Sequence, residues 1–192
     1  MPVRTPVFLT ACYLVAAIQT ANISAQDNPT VAIETSLGTI TAELDRANAP
    51  ISVENFLQYI EDGHYTGTIF HRVTKGFMIL GGGFTADMTP KPTRAAIKNE
   101  ARNGVQNARG TLAMARSDLI DSATCQFFIN TATNGALDNR GVTPDEYGYA
   151  VFGRVTEGLD VVETIENVAT STRDEYRDVP VTPIEILSIT LH

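Results

Sequence analysis

The sequence predicts a mainly β fold in which a closed antiparallel barrel is accompanied by two helices. After residue 68, short apolar or alternating segments follow one another, separated by loops rich in Gly, Pro, Asn and Asp, as in chains built from many strands. Only two segments show apolar residues at the three- and four-residue spacing of an amphipathic helix. Few helices are therefore available to cover the edges of a sheet, and closure into a barrel removes those edges.

The first predicted elements are a β-hairpin and a helix. Residues 30–34 and 38–44 are rich in β-branched residues and flank the turn-like residues 35–38. Pro50 is tolerated in the first turn of a helix, and apolar residues then recur on one face until Gly63. The later strands are predicted at residues 69–73, 77–80, 110–115, 126–130, 149–155 and 184–191, and the second helix at residues 159–166.

Residues 1–25 differ in character from the rest of the chain. Arg4 is their only charge, residues 6–18 are almost wholly apolar, and the residues that follow are small and polar. This order is typical of a secretory signal peptide, with cleavage after Ala25. An apolar run of about 13 residues is shorter than the roughly 20 that a membrane-spanning helix needs. We therefore expect residues 26–192 to form an exported domain.

The two cysteines bear on how this region is interpreted. An alternative to signal cleavage at Ala25 is a lipoprotein cleavage box at residues 9–12, which would leave Cys12 acylated, although the apolar run continues beyond Cys12. After cleavage at Ala25, Cys125 is the only cysteine, so no intramolecular disulfide can form. We interpret Cys125 as a small packed residue beside an apolar strand, with a reactive thiol as the alternative.

Length and charge restrict the classes of function. A chain of 192 residues suffices for one well-packed domain, and no internal repeat is present. The formal net charge of −8 lacks the basic footprint that binding to a phosphate backbone requires, so a nucleic-acid partner is not expected.

The familiar catalytic constellations are missing from the sequence. His64, His71 and His192 have no paired spacing that would suggest a metal site, and no Gly-x-Ser-x-Gly motif indicates a hydrolase. Residues 81–83 are three glycines without the Lys and Ser/Thr of a phosphate-binding loop, and we interpret them as a place where the backbone is closely approached.

An arginine among apolar residues is the remaining chemical feature. Arg72 lies in the predicted strand at residues 69–73, where alternation predicts that Phe70 and Arg72 share one face and Ile69, His71 and Val73 the other. These residues alone favour a buried salt bridge for Arg72 over a catalytic role.

The run FHRVTKGFMILGG, which begins at Phe70, resembles the signature of the cyclophilins. Residues 110–115, 122–130 and 150–155 resemble further cyclophilin segments in the same order, so the resemblance extends from about Val31 to the C-terminus. It implies an eight-stranded antiparallel β-barrel capped by two α-helices, with a groove on its outer surface. The implied activity is peptidyl-prolyl cis-trans isomerisation, which requires no cofactor and no metal.

The resemblance also implies roles for individual residues. Arg72 matches the catalytic arginine, and Phe77 and Gln126 complete the expected catalytic set, with Gln126 as a hydrogen-bonding residue of the groove. The expected substrate-binding residues are Met78, Leu80, Ala115, Arg116, Phe128, Leu137 and Tyr149. Tyr149 occupies a position where many cyclophilins carry a histidine.

Three departures from the cyclophilin pattern qualify these expectations. Leu80 replaces a glutamine that is thought to orient the arginine, so an alternative function is a proline-peptide binding or chaperone module with reduced catalysis. Ala136 replaces the tryptophan of cyclosporin-sensitive members, which predicts weak cyclosporin binding. Residues 138–148 form a longer segment that resembles the bacterial exported group. We therefore expect a periplasmic monomer that acts on proline-containing peptides and unfolded exported proteins.

Overall fold

The computed structural model describes Met1 and residues 28–192. The predicted signal peptide beyond Met1, the cleavage point at Ala25 and the alternative acylation site at Cys12 lie outside the described residues. The first hairpin pairs β1, Thr30–Thr35, with β2, Gly38–Leu44. Its turn is closed by the Thr35 hydroxyl, which donates to the Gly38 carbonyl over 2.7 Å and accepts from the Leu37 amide over 3.1 Å. The predicted hairpin is confirmed.

Three α-helices are present in the described residues. They are α1, Pro50–Glu61, the single turn α2, Pro144–Tyr147, and α3, Leu159–Glu166. Pro50 occupies the first turn of α1, and the chain leaves that helix through Gly63 at φ 64°, a conformation that glycine adopts without steric cost. The two predicted helices are confirmed, and α2 is an addition within the long segment 138–148.

The remaining strands are short, as the segment lengths predicted. They are β3, Thr68–Thr74; β4, Met78–Thr85; β5, Thr111–Met114; β6, Phe127–Asn130; β7, Val151–Glu157; β8, Thr170–Arg173; β9, Tyr176–Pro180; and β10, Glu185–Leu191. Eight of the ten strands, six of these together with β1 and β2, close in the order β1-β10-β3-β4-β6-β5-β7-β2, and β8 pairs only with β9. The predicted eight-stranded antiparallel barrel is confirmed.

Two apolar clusters lie on opposite sides of the barrel wall. The interior cluster includes Phe56 of α1, whose ring centroid lies 5.2 Å from those of Phe127 and Phe152. The second cluster is small and consists of Met78, Ala113, Phe128 and Val151. Because neighbouring residues of a strand point to opposite faces, Phe127 faces the interior and Phe128 the outer surface. The outer cluster is where the expected site residues gather.

The alternation predicted for β3 is wrong at Arg72. From the pair Phe70 and Gly81 to the pair Arg72 and Leu80, β3 advances by two residues and β4 by one, which is a β-bulge. The bulge returns Phe70 and Val73 to the same interior cluster and leaves Arg72 exposed. Phe70 and Arg72 therefore do not share a face, and Arg72 does not form a buried salt bridge.

Two further differences concern strand extent. β4 continues past Leu80 through the three glycines. A Cβ on Gly82 would lie 2.8 Å from the Tyr65 ring, and one on Gly83 would lie 2.6 Å from Gln126 Cγ. This close approach agrees with the interpretation of residues 81–83. The β8-β9 hairpin was not predicted, because all four residues of β8 are exposed and show no apolar alternation. No helix in the described residues is long and apolar enough to span a membrane.

Candidate active site

A shallow cavity of about 130 Å³ opens on the outer face of the barrel beside the small apolar cluster. It is lined by Arg72, Phe77, Met78, Leu80, Ala115, Arg116, Phe128, Leu137 and Tyr149. All nine were expected from the sequence to be site residues. They come from β3, β4, β6 and three connecting segments, so the closed barrel brings together residues that are far apart in the chain.

Two arginines line this cavity, and the more exposed of their guanidinium groups is that of Arg72. Its side chain is 44% exposed, and its Nε atom lies 3.7 Å from a carboxylate oxygen of Asp178. No hydrogen bond within the described part of the chain uses the Arg72 side chain, so its N–H donors remain available to a bound molecule.

An apolar wall stands beside the guanidinium. Met78 and Phe128 are 5% and 4% exposed, and Phe77 and Leu137 are partly exposed at the edge of the cavity. Leu80 is half-buried against the same cluster and is the direct cross-strand partner of Arg72. Its side chain offers no hydrogen-bonding group to the guanidinium.

Three buried asparagines form a hydrogen-bond network that supports the apolar wall, and sequence reasoning missed them. Asn134 donates 2.7 Å hydrogen bonds to the Phe77 carbonyl and to Asn130 Oδ1. Asn130 in turn donates to Asn107, whose amide reaches the Leu137 carbonyl over 3.2 Å. Buried amides need partners, and this network supplies them while it fixes Phe77 and Leu137. Asparagines close to apolar strand residues were the available signal in the sequence.

Tyr149 and Arg116 form the far side of the cavity. The Tyr149 ring packs edge-to-face against Phe128 at 5.7 Å between centroids, and the Arg116 guanidinium carbon lies 4.8 Å from the Tyr149 ring centre. Arg116 also donates to the carbonyls of Gly148 and Pro144, over 2.9 and 2.6 Å. Through these hydrogen bonds Arg116 holds the 138–148 segment beside the cavity.

Gln126 is the one expected site residue that does not line the cavity. Its side chain lies along Gly83, where a Cβ would come within 2.8 Å of Nε2. Its carbonyl accepts a 3.0 Å hydrogen bond from the Ala115 amide. Gln126 therefore borders the cavity through Ala115.

His71, next to Arg72 in the chain, is neutral near pH 7. Its side chain packs against the Phe84 ring, with centroids 4.6 Å apart, and its Nδ1 atom has no hydrogen-bond partner. Burial lowers the pKa of His71 to about 4, and the positive charge of Arg72 acts in the same direction. Arg72 is therefore the charge that β3 presents to the cavity.

The fold and this site define a class of protein. A closed antiparallel barrel presents one exposed guanidinium beside an apolar recess, and the described residues contain no cluster of three His, Cys, Asp or Glu side chains that could hold a metal ion. The arrangement is suited to bind a short stretch of polypeptide and to act on it by hydrogen bonding and water exclusion.

Comparison with known proteins identifies the family. The sequence model of the family described as "Cyclophilin type peptidyl-prolyl cis-trans isomerase/CLD" matches residues 30–191. The chain belongs to this family and is thus a peptidyl-prolyl cis-trans isomerase.

Bacterial relatives cover nearly the whole described domain. The chain is 55% identical to peptidyl-prolyl cis-trans isomerase cyp18 of Streptomyces antibioticus, over 83% of this chain and 96% of the relative. It is 50% identical to peptidyl-prolyl cis-trans isomerase A of Dickeya dadantii, over 82% of each chain. It is 47% identical to peptidyl-prolyl cis-trans isomerase B of Escherichia coli, over 84% of this chain and 98% of the relative.

A solved structure shares the fold. The chain is similar to a cyclophilin type peptidyl-prolyl cis-trans isomerase of Cryptosporidium parvum, crystallised in the presence of the dipeptide Ala-Pro. The TM-score is 0.67 and the identity 28%, over 85% of this chain and 98% of the other.

Proposed function

We propose that this isomerase acts on X-Pro bonds of proteins that are folding after export, with Arg72 as its catalytic residue. The observation that carries the proposal is the position of the Arg72 guanidinium in one cavity with the apolar side chains of Phe77, Met78, Phe128 and Leu137. Proline-containing peptides are the proposed substrates, and the relative crystallised in the presence of Ala-Pro supports that choice.

The proposed chemistry makes and breaks no covalent bond. Rotation about a peptide bond faces a barrier of ~18–20 kcal/mol because the C–N bond has partial double-bond character. In the twisted form this resonance is lost, and the prolyl nitrogen becomes a better hydrogen-bond acceptor. A guanidinium next to that nitrogen or the adjacent carbonyl stabilises the twisted form more than either planar isomer, which lowers the barrier.

The apolar wall has a separate proposed role. Phe77, Phe128 and Leu137 hold the proline ring while the other side of the bond rotates, and they exclude water that would compete for the guanidinium. Met78, Leu80 and Tyr149 complete the recess, and Ala115 and Arg116 border the path of the peptide. Gln126, which borders the cavity through Ala115, is the proposed hydrogen-bonding residue of the groove.

A protease-coupled assay on a proline peptide tests the role of Arg72. We expect Arg72→Ala to lower kcat/KM by about 100-fold or more, the size of effect seen when a preorganised donor to a transition state is removed. Arg154→Ala is the matched control, since Arg154 is an exposed barrel arginine that pairs with Glu43 over 3.3 Å outside the cavity. Equal activity of wild type and Arg72→Ala would refute the proposal.

A second candidate function is a proline-peptide binding or chaperone module with reduced catalysis. The observation that favours it is Leu80, which faces Arg72 across β3 and β4 without an amide. Leu80→Gln restores that group, and an orienting hydrogen bond of ~1 kcal/mol corresponds to about fivefold in rate. An inactive wild type that Leu80→Gln makes active would favour the binding module; a wild type within about tenfold of Leu80→Gln would favour the isomerase.

Export is a proposal that the N-terminal sequence pattern supports. Intact mass and N-terminal sequencing of the protein recovered from the producing cell distinguish cleavage after Ala25 from a lipidated Cys12. A full-length protein beginning at Met1 would contradict both.

The proposed role in folding is tested by refolding an exported protein whose folding is limited by proline isomerisation, which takes tens of seconds unaided. Wild type, and not Arg72→Ala, is expected to accelerate that phase.

Weak cyclosporin binding is the remaining proposal about ligands. Ala136 is exposed directly before Leu137 of the cavity wall and has no indole to donate a hydrogen bond. We expect Ala136→Trp to strengthen inhibition by cyclosporin in the coupled assay. Inhibition of the wild type at sub-micromolar concentration would contradict this expectation.

A further inference from the structure

We propose that Asp178 is a positioning residue that holds the Arg72 guanidinium toward the cavity. The inference rests on the catalytic role proposed for Arg72. Asp178 lies in β9, in the hairpin that the sequence did not predict, and its carboxylate is the only one within 4 Å of Arg72 in the described part of the chain.

A β-bulge directs Asp178 toward β3. Between the pairs Ser171 with Val179 and Arg173 with Tyr176, β8 advances by two residues and β9 by three, so β9 contains one extra residue. Asp178 has φ 58°, the left-handed conformation that Asp and Asn adopt more readily than other side chains. Bulges beside active sites commonly redirect a side chain, and here the redirected side chain is a carboxylate.

Thr74 fixes the carboxylate once it reaches β3. The Thr74 hydroxyl donates a 2.9 Å hydrogen bond to Asp178 Oδ2, the same oxygen that lies 3.7 Å from Arg72 Nε. Thr74 follows Arg72 by two residues in β3, after the bulge, so both side chains reach the same side of the strand. Asp178 is therefore held by a hydrogen bond and faces the guanidinium at the distance of an ion pair.

The hairpin that carries Asp178 is itself attached to the barrel. Arg173 donates to the carbonyls of Ala86 and Asp87 over 3.0 and 3.2 Å, just after β4. The Tyr176 ring packs edge-to-face on Phe84 with centroids 5.3 Å apart. These contacts hold the hairpin against β3 and β4.

The contact between Arg72 and Asp178 is poorly suited to stabilising the fold. Both side chains are about two-fifths exposed, at 44% and 40%, and exposed ion pairs contribute little to folding. The nearest atom of Arg72 is Nε, at a distance longer than a hydrogen bond, so the terminal nitrogens keep their donors for a substrate. With Leu80 unable to orient the guanidinium, Asp178 is the group placed to do so.

The test compares two isosteric substitutions in the same hairpin. Asp178→Asn keeps the shape of the side chain and a residue type that tolerates positive φ, and it removes the negative charge of the carboxylate. Asp174→Asn does the same at φ 53° in the turn of the hairpin, where no ion pair is formed with described residues, and serves as the control. We expect Asp178→Asn to lower kcat about three- to tenfold with little change in KM, the loss expected when one orienting interaction disappears. Asp174→Asn is expected to match wild type.

A rescue experiment separates orientation from a structural role. In the Leu80→Gln background the new amide lies opposite Arg72, so Asp178→Asn is expected to cost at most about twofold there. The same loss in both backgrounds would refute orientation through Arg72, as would wild-type kcat in Asp178→Asn or an equal loss in Asp174→Asn.

Two further variants keep the test decisive. If Asp178→Asn fails to fold, Thr74→Val removes the hydroxyl that holds the carboxylate, and an unchanged kcat in that variant would overturn the inference. Arg72→Ala is assayed alongside: if it retains wild-type activity, the proposed function fails, whereas an inactive Arg72→Ala with a fully active Asp178→Asn overturns only the role of Asp178.

Discussion

At the scale of single residues, His71 and Arg72 are chain neighbours that meet opposite surroundings. The β3 bulge places His71 under Phe84 with 5% of its surface exposed, and it turns Arg72 out toward the cavity. Burial removes the charge of the histidine, while an arginine keeps its charge at any ordinary pH. The pair therefore presents one permanent cation and one neutral packing residue.

The neutral state of His71 predicts a dependence of stability on pH. The unfolded chain binds a proton at His71 below about pH 6.5, but the folded chain only below about pH 4, so the unfolded state binds more protons between these values. Stability contributed by His71 is thus present above pH 6.5 and is lost as the pH falls toward 4, by roughly 3 kcal/mol at most.

His71→Gln is expected to reduce the rise in unfolding free energy between pH 4 and 6.5, measured by urea denaturation at several pH values. His192→Gln, the same substitution at the exposed C-terminus, is measured alongside as the control. An unchanged slope in His71→Gln would contradict the lowered pKa, because it would show that the histidine binds its proton over the same pH range in the folded and unfolded states.

At the scale of elements, the start of α1 is capped from a distant part of the chain. Ala49, before the helix, makes no side-chain cap. Instead the Glu100 carboxylate accepts from the amides of Ile51 and Ser52 over 3.0 and 2.8 Å and from the Ser52 hydroxyl over 2.7 Å. A carboxylate at this end satisfies free N–H groups and favours the positive end of the helix dipole.

Glu100→Gln tests this distant cap. We expect the free energy of unfolding to fall by about 1–2 kcal/mol, because charge-assisted bonds to a helix start are replaced by weaker neutral ones. Glu54→Gln, at an exposed position of the same helix, is the control and should change stability little. Equal effects of the two substitutions in chemical denaturation would show that the cap contributes nothing specific.

At the scale of the whole molecule, closure of the barrel encloses Cys125. The thiol belongs to the interior cluster with none of its surface exposed, and the Tyr65 hydroxyl donates a 2.9 Å hydrogen bond to the Cys125 carbonyl. Burial raises the pKa of the Cys125 thiol, which reduces its nucleophilic thiolate form. The structure therefore agrees with a packed cysteine, as the sequence suggested.

Alkylation of Cys125 is expected to report the opening of the whole barrel. Peptide mapping after timed exposure to iodoacetamide should show slow labelling in the native protein and rapid labelling in urea. If opening is global, Glu100→Gln should accelerate native labelling by about five- to thirtyfold, the factor that corresponds to its loss of 1–2 kcal/mol. Labelling at the wild-type rate in that variant would indicate local opening around Cys125.

Local pattern predicted most of the elements, and the resemblance to the cyclophilins predicted the cavity residues. The hairpin, two helices and the barrel strands follow from spacing that each segment carries within itself. The nine cavity residues were expected from the resemblance to the cyclophilins, and three of them, Arg116, Leu137 and Tyr149, lie outside the motifs that carry it. Sequence reasoning missed the asparagine network and the β8-β9 hairpin, because buried amides and an exposed strand leave no apolar periodicity.

The sequence by itself determined the barrel, its family and the residue types available for the chemistry proposed at Arg72. Tertiary structure alone decided which way Arg72 faces and what stands beside it. A bulge arises from the pairing of β3 with β4, and Asp178 reaches Thr74 across 104 residues of chain. Neither the bulge nor the contact between Asp178 and Thr74 can be predicted from the residue pattern of one strand, because register and long-range contacts form only when the strands pair.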